Sequence, residues 1–175
     1  MFYRMFLFCV LLLIPAWANI DFEKIKTFKA DFVQTITNES GKEIIYKGKI
    51  FVKNSGKVLW KYIEPIKKDV YIIGQNVIID EPELEQAIFT SLEKSIDILQ
   101  LIKDAKKLRE NLYEAQLYDN IYYIEVIDNS VKQIFFKDEL SNKVLIEFHN
   151  NVENIDIDDS IFIFTAPDYY DVIEK

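Results

Sequence analysis

Along residues 43–53 apolar and charged positions alternate. Ile44, Tyr46, Gly48, Ile50 and Val52 fall on one side, Lys47, Lys49 and Lys53 on the other. A period of two is that of a β-strand with one face buried. Asn54-Ser55-Gly56-Lys57 then supplies hairpin-turn chemistry. Val58, Trp60 and Tyr62 share one face of the next strand, which Pro65 ends. Similar patterns predict strands at residues 30–36, 69–73, 77–80, 86–92, 113–118, 121–128, 132–137, 143–149 and 161–165. Asn, Asp and Gly residues between them read as turns. Two segments depart from this period. Ile20, Phe22, Ile25 and Phe28, spaced among charges, predict a short amphipathic helix. Ser95, with Asp97 in the following turn, caps a helix predicted to reach about Leu112. Its core stripe is Ile98, Leu101, Ala105, Leu108 and Leu112; its first half is apolar nearly all round and its second half is basic.

Isoleucine far outnumbers leucine, and stiff β-branched side chains fit pleated sheets better than helices. The fold class is therefore mainly β, an α+β chain with a mostly antiparallel sheet and few helices. Several segments are apolar on both faces: Val70–Ile73, Val77–Ile79, Ile121–Ile124 and Ile161–Phe164. A sheet wetted on one side should alternate. Either the sheet is covered on both sides, or it curves so that its concave face lines a pocket for an apolar ligand.

Residues 1–18 stand apart from this pattern. Arg4 precedes an apolar run from Met5 to Ile14, Pro15 breaks it, and Ala16-Trp17-Ala18 forms an A-x-A cleavage box. The run is too short to span a bilayer, and Phe8 before Cys9 does not suit a lipoprotein signal. The expectation is a signal peptide cleaved after Ala18, a single domain over residues 19–175, and a periplasmic location. Cys9 is the one cysteine, so the mature chain has no thiol for a disulfide or a metal. A formal net charge of −8 argues against nucleic acid as a partner.

Catalytic chemistry finds little support. His149 is the single histidine, and no nucleophile motif of the G-x-S-x-G type accompanies it. Glu153, Asp156, Asp158 and Asp159 lack the spacing of a calcium loop and read as a solvated acidic turn. Glu81, Glu83 and Glu85 read as the charged outer face of a strand. The chain is expected to be a non-enzyme, with no cofactor and no metal.

Phe28-x-Ala30-x-Phe32-x-Gln34, Gly48-x-Ile50-x-Val52 and Trp60-x-Tyr62-x-x-Pro65 follow one another in order. Asp69–Gly74, Pro82-x-Leu84-x-Gln86 and Phe164-Thr165-Ala166-Pro167 come after them. Together they resemble the LolA family of periplasmic lipoprotein carriers, most densely over residues 28–90. The resemblance implies an unclosed antiparallel β-barrel of about eleven strands, with helices forming a lid over an apolar cavity. It implies a monomeric chaperone that takes outer-membrane lipoproteins from an inner-membrane Lol ABC exporter and passes them to an outer-membrane receptor. On this resemblance the acyl chains would lie against Ile50, Val52, Val58, Trp60 and Tyr62. Val58 sits where the family often has an aromatic residue tied to exporter contact. Ile98, Leu99, Leu101 and Ile102 would form the lid. The family's basic residue before the turn glycine, thought to latch that lid, is replaced by Asn54-Ser55, leaving Asn54, Lys53 or Lys57 as substitutes. A carrier or sensor for another lipid would use the same half-barrel. So would an outer-membrane receptor, but Asn19 stands where its lipidated cysteine would be.

Overall fold

The computed structural model describes residues 25–91, 101–102, 104–117 and 119–175. Among these, twelve strands are present: β1 (Thr27–Thr37), β2 (Glu43–Lys53), β3 (Lys57–Glu64), β4 (Lys68–Ile73), β5 (Asn76–Glu81), β6 (Gln86–Ser91), β7 (Lys106–Arg109), β8 (Leu112–Leu117), β9 (Asn120–Ile127), β10 (Ser130–Lys137), β11 (Lys143–Glu153) and β12 (Asp171–Glu174). They form one sheet in the order β12-β6-β5-β4-β3-β2-β1-β11-β10-β9-β8-β7. Two meanders meet where β1 pairs with β11, Phe32 opposite Phe148 and Gln34 opposite Ile146. Every pairing is antiparallel except that of β12 with β6. The end strands β7 and β12 do not pair with each other, so the barrel is unclosed.

Local chemistry sets the hairpins. Asp128 and Asn129 both adopt positive φ, 52° and 58°, the backbone of a two-residue turn whose twist matches the strands it joins. Two longer turns share one design. Asn38 Oδ1 accepts the Lys42 N–H at 2.9 Å, and Asp138 Oδ1 accepts the Asn142 N–H at 2.8 Å. Because β1 and β11 are neighbours, these two turns lie side by side at one end of the barrel.

Each face of the sheet has its own core. The concave face buries Phe32, Ile50, Trp60, Ile124, Ile146 and Phe148 with others, and Leu101 packs among them. On the convex face, Leu59 and Tyr71 are buried with Ile157 and Phe162 of the segment after β11, and Phe51, Ile78 and Phe164 pack against them. That segment makes a 3-10 turn, Asp159–Phe162, whose cap Asp158 accepts the Ser160 N–H at 2.8 Å. Lys53 fastens it by donating to the Ile157 carbonyl at 2.7 Å and to Asp159 at 2.5 Å, and Lys57 reaches Asp159 at 3.1 Å. The doubly apolar strands β4 and β5 thus have a physical cause: both of their faces are covered.

Four expectations from the sequence need correction. Phe28 belongs to β1, not to a helix, and the other three residues of that predicted stripe are divided: Ile25 lies just before β1, while Ile20 and Phe22 are outside the described residues. The helix predicted from Ser95 does not reach Leu112. Leu101 and Ile102 are helical, but Lys106–Arg109 is an exposed edge strand and Leu112 starts β8. Lysines and arginine at the open edge of a sheet discourage further pairing, which suits that role as well as a helix face. Residues 161–165 form no strand; the 3-10 turn and an irregular stretch replace it, because this apolar run packs onto the sheet rather than into it. Glu81 ends β5, Pro82–Leu84 is a 3-10 turn and Glu85 is left-handed at φ 51°, so the three glutamates share no strand face. With residues 161–165 lost and β7 and β12 gained, the described residues hold twelve strands against about eleven expected; the β12 pattern is too short to read.

One outer pair is electrostatically unfavourable. Asp69 and Asp80 are direct cross-strand partners. Lys61 neutralises Asp69. Asp80 has its carboxyl pushed up, first by burial and also by Asp69, although a hydrogen bond from Tyr170 works the other way. A carboxyl whose folded pKa is raised favours folding while protonated and loses that contribution as pH rises through the folded value. Asp80→Asn is therefore expected to raise Tm at pH 7, with the gain shrinking as pH falls through the raised folded value and gone below the ordinary aspartate value of 3.8. Thermal melts of both proteins across pH measure this directly.

Candidate functional site

β2 and β3 place the five residues singled out in the sequence on one surface. Ile50 opposes Trp60, Val52 opposes Val58 and Gly48 opposes Tyr62. All five point to the concave side, as the period of two requires. Ile50, Val52, Val58 and Trp60 are 0%, 2%, 2% and 7% exposed, so they form a dry floor. Tyr62 is half-buried at the end nearer the Asn38 and Asp138 turns.

Gly48 makes the floor possible. A Cβ there would lie 2.1 Å from the Lys61 carbonyl oxygen and 2.7 Å from the Phe32 ring. Without it, the Phe32 ring occupies the space over Gly48 and meets Trp60 and Tyr62 edge-on, with ring centroids 5.0 and 5.1 Å away. Phe148 on β11 closes the cluster, 6.5 Å from Trp60. Quadrupole attraction favours such edge-on pairs over face-to-face stacks.

The rim is polar and aromatic. Tyr62 donates its hydroxyl to Gln34 Oε1 at 3.2 Å, and Tyr46 meets its ring edge-on at 5.8 Å. Lys68 holds its ammonium 4.7 Å from the Tyr62 ring centroid, a cation–π geometry. Burial, and next the neighbouring Tyr46, push the Tyr62 hydroxyl up to about 12, so it stays a donor throughout physiological pH.

Of the expected lid residues, Ile98 and Leu99 lie outside the described residues. Leu101 is 1% exposed inside the concave core, and Ile102 packs against that core. Asn54 is exposed in the β2–β3 turn, where its backbone N–H donates to the Lys26 carbonyl at 2.8 Å. Lys53 and Lys57, the other latch candidates, reach the convex side and hold the C-terminal segment instead. Phe148 and Tyr46 were not singled out from the sequence as site residues. Their signal was simple alternation on β11 and β2, which marks a face but not a site. No group of three potential metal ligands exists among the described residues, and His149 is exposed within β11.

A dry aromatic and aliphatic floor with a tyrosine rim suits an apolar ligand. Comparison with known proteins gives this surface its context. The family model for the outer membrane lipoprotein carrier protein LolA matches residues 23–118, more than half of the chain. An outer-membrane lipoprotein carrier protein of Wolinella succinogenes is 39% identical over 161 residues, covering 91% of this chain and 94% of that protein. The chain belongs to the LolA family. A second member, from Helicobacter hepaticus, is 34% identical over 154 residues, covering 87% of this chain and 86% of its own. Among solved structures, a LolA superfamily protein from Nitrosomonas europaea superposes with a TM-score of 0.53 at 13% identity, over 81% of this chain and 91% of that one. An uncharacterized conserved protein from Thermus thermophilus gives 0.54 at 9% identity, covering 89% and 94%. These two likenesses speak for the fold alone. The matched segment takes in β1 to β3, and with them every LolA-family position proposed for acyl binding.

Proposed function

We propose that this protein carries lipoproteins across the periplasm, holding their acyl chains against the concave face of the sheet. The observation that carries the reading is the dry floor of Ile50, Val52, Val58 and Trp60 inside a LolA-family barrel that is not closed. Three acyl chains present roughly 45 methylenes, and at about 0.8 kcal/mol each their exposure to water costs on the order of 36 kcal/mol. A lipoprotein cannot cross an aqueous space bare; a carrier must cover the chains and still release them.

In the structure the floor is packed, not vacant, so acyl chains enter by taking the place of the side chains that cover it. Leu101 and Ile102, helical residues that pack in the concave core, are the described residues we assign to that cover. Binding then selects a state in which this cover has swung away. The cover acts as the lid, with Ile98 and Leu99 as its further apolar residues, and Asn54 occupies the family's latch position. The cargo comes from an inner-membrane exporter and leaves to an outer-membrane receptor, after signal cleavage at Ala18. Catalysis plays no part.

Trp60 reports on entry. Titration of the mature chain with a non-fluorescent long-chain acyl ligand is expected to shift its tryptophan emission, which comes from Trp60. The mature chain has no other tryptophan, since Trp17 precedes the cleavage point. Emission that stays constant while calorimetry shows saturation would place the chains elsewhere.

A further inference from the structure

The convex surface of the sheet has two halves. Over β3 and β4 the C-terminal segment covers the outward apolar residues. Over β9, β10, β11 and the parts of β1 and β2 nearer the Asn38 turn, the convex core does not extend among the described residues. Tyr123, Phe135, Leu145 and Thr35 are half-buried and Ile45 is 49% exposed. Register puts these five in a single row across five strands: Tyr123 opposes Phe135, Phe135 opposes Leu145, Leu145 opposes Thr35, and Thr35 opposes Ile45. The Tyr123 and Phe135 rings stack, 5.2 Å apart and 20° from parallel.

Charged rows flank it. One step toward the turns, Lys137 and Lys143 are direct cross-strand partners, Lys143 opposes Thr37, and Thr37 opposes Glu43, to which its hydroxyl donates at 3.3 Å. One step the other way, Glu125 and Glu147 stand on either side of Gln133. None of Lys137, Lys143, Glu125 and Glu147 has an ion-pair partner among the described residues, whereas Lys47, Lys49 and Lys61 nearby are all paired. Two like charges directly opposite each other are unfavourable in a sheet. Beside the lysines, the Asn38 and Asp138 turns part to form a cleft of about 450 Å³ lined by Thr37, Glu39, Ser141, Lys137 and Lys143 among others.

We propose that this striped face docks another protein through an amphipathic helix laid along the apolar row. The row spans four strand spacings, roughly 19 Å, which is the length of about 13 helical residues. The partner helix carries an apolar stripe, carboxylates on the flank that meets Lys137 and Lys143, and lysine or arginine on the flank that meets Glu125 and Glu147. An anionic bilayer is disfavoured by the exposed glutamates and the net charge of −8. The inference rests on the carrier reading, in which the protein must be recognised by membrane proteins where it loads or unloads.

The test uses the mature chain, Phe135→Thr, and a fourfold swap (K137E, K143E, E125K, E147K) that leaves net charge unchanged. Each is floated with vesicles of either cell membrane that retain their proteins, and with protein-free vesicles of the same extracted lipids. Binding of an acyl probe and sedimentation velocity accompany each variant. The expected result is binding only to vesicles that retain protein, at least ten-fold weaker for both variants, with acyl-probe affinity unchanged and all chains monomeric. Full-strength binding by the swap would overturn the proposal. Equal binding to protein-free vesicles would overturn it in favour of lipid, and a dimer that the swap dissociates would overturn it in favour of a second copy. Failure of the unaltered chain to bind the acyl probe would instead count against the carrier reading.

Discussion

Gly48→Ala is expected to lower stability by about 3 kcal/mol, near the upper end for overpacking a core. The added methyl would meet the Lys61 carbonyl at 2.1 Å and the Phe32 ring at 2.7 Å. Neither neighbour has an easy escape. The carbonyl is backbone of β3, held between β2 and β4. Phe32 is 1% exposed and pinned between Trp60 and Tyr62. Stability of a domain this size is about 5–15 kcal/mol in total, so a large fraction is at stake. Gly56→Ala is the control. Gly56 also resists a side chain, through its φ of 86°, but nothing lies within 4 Å of the added atom. That strain alone costs about 1–2 kcal/mol. Urea unfolding of the two variants should show the larger midpoint shift for Gly48. Equal shifts would mean that β3 and Phe32 yield easily, and that the floor is softer than its packing indicates.

Leu101→Ala is expected to cost about 2–5 kcal/mol in the ligand-free protein, as for other buried leucines. Leu101 is 1% exposed and packs among the concave residues, so truncation leaves a cavity over the proposed floor. If acyl chains occupy that place, a ligand should restore what the mutation removed. A ligand at a hundred times its Kd stabilises the folded state by about 2.7 kcal/mol. The variant should also bind an acyl probe more tightly than the unaltered chain, because less packing has to be displaced. Unfolding curves with and without probe check both effects. A variant that is destabilised and gains no affinity would make Leu101 an ordinary core residue, not part of a movable cover.

Much of the sheet was legible in the sequence because alternation is local. β2 appears with the bounds that its own pattern gives, and the face shared by Ile50, Val52, Val58, Trp60 and Tyr62 follows from spacing and one hairpin turn. The misread parts are those decided by distant partners. Lys106 to Arg109 carry helix-forming residues, but pairing with β8 makes them a strand. Residues 161–165 have strand composition, yet the convex apolar surface around Leu59 and Tyr71 draws them down as a covering segment. Lys53 and Lys57 were candidate lid latches because they flank the turn. Odd-numbered positions of both strands face outward, where Asp159 waits, more than a hundred residues away in the chain. The role of Gly48 was invisible too, since only the structure shows that β3 backbone and the Phe32 ring share the space over it.

If the protein is a lipoprotein carrier, its cargo is acylated polypeptide and not free lipid. Incubating the mature protein with spheroplasts that still hold newly made lipoproteins, then taking the supernatant to native mass spectrometry, tests it most directly. The mature protein is expected to appear in a soluble one-to-one complex whose added mass is that of an acylated lipoprotein. A supernatant in which the protein carries phospholipid or another free lipid, while every lipoprotein stays in the membrane, would contradict it.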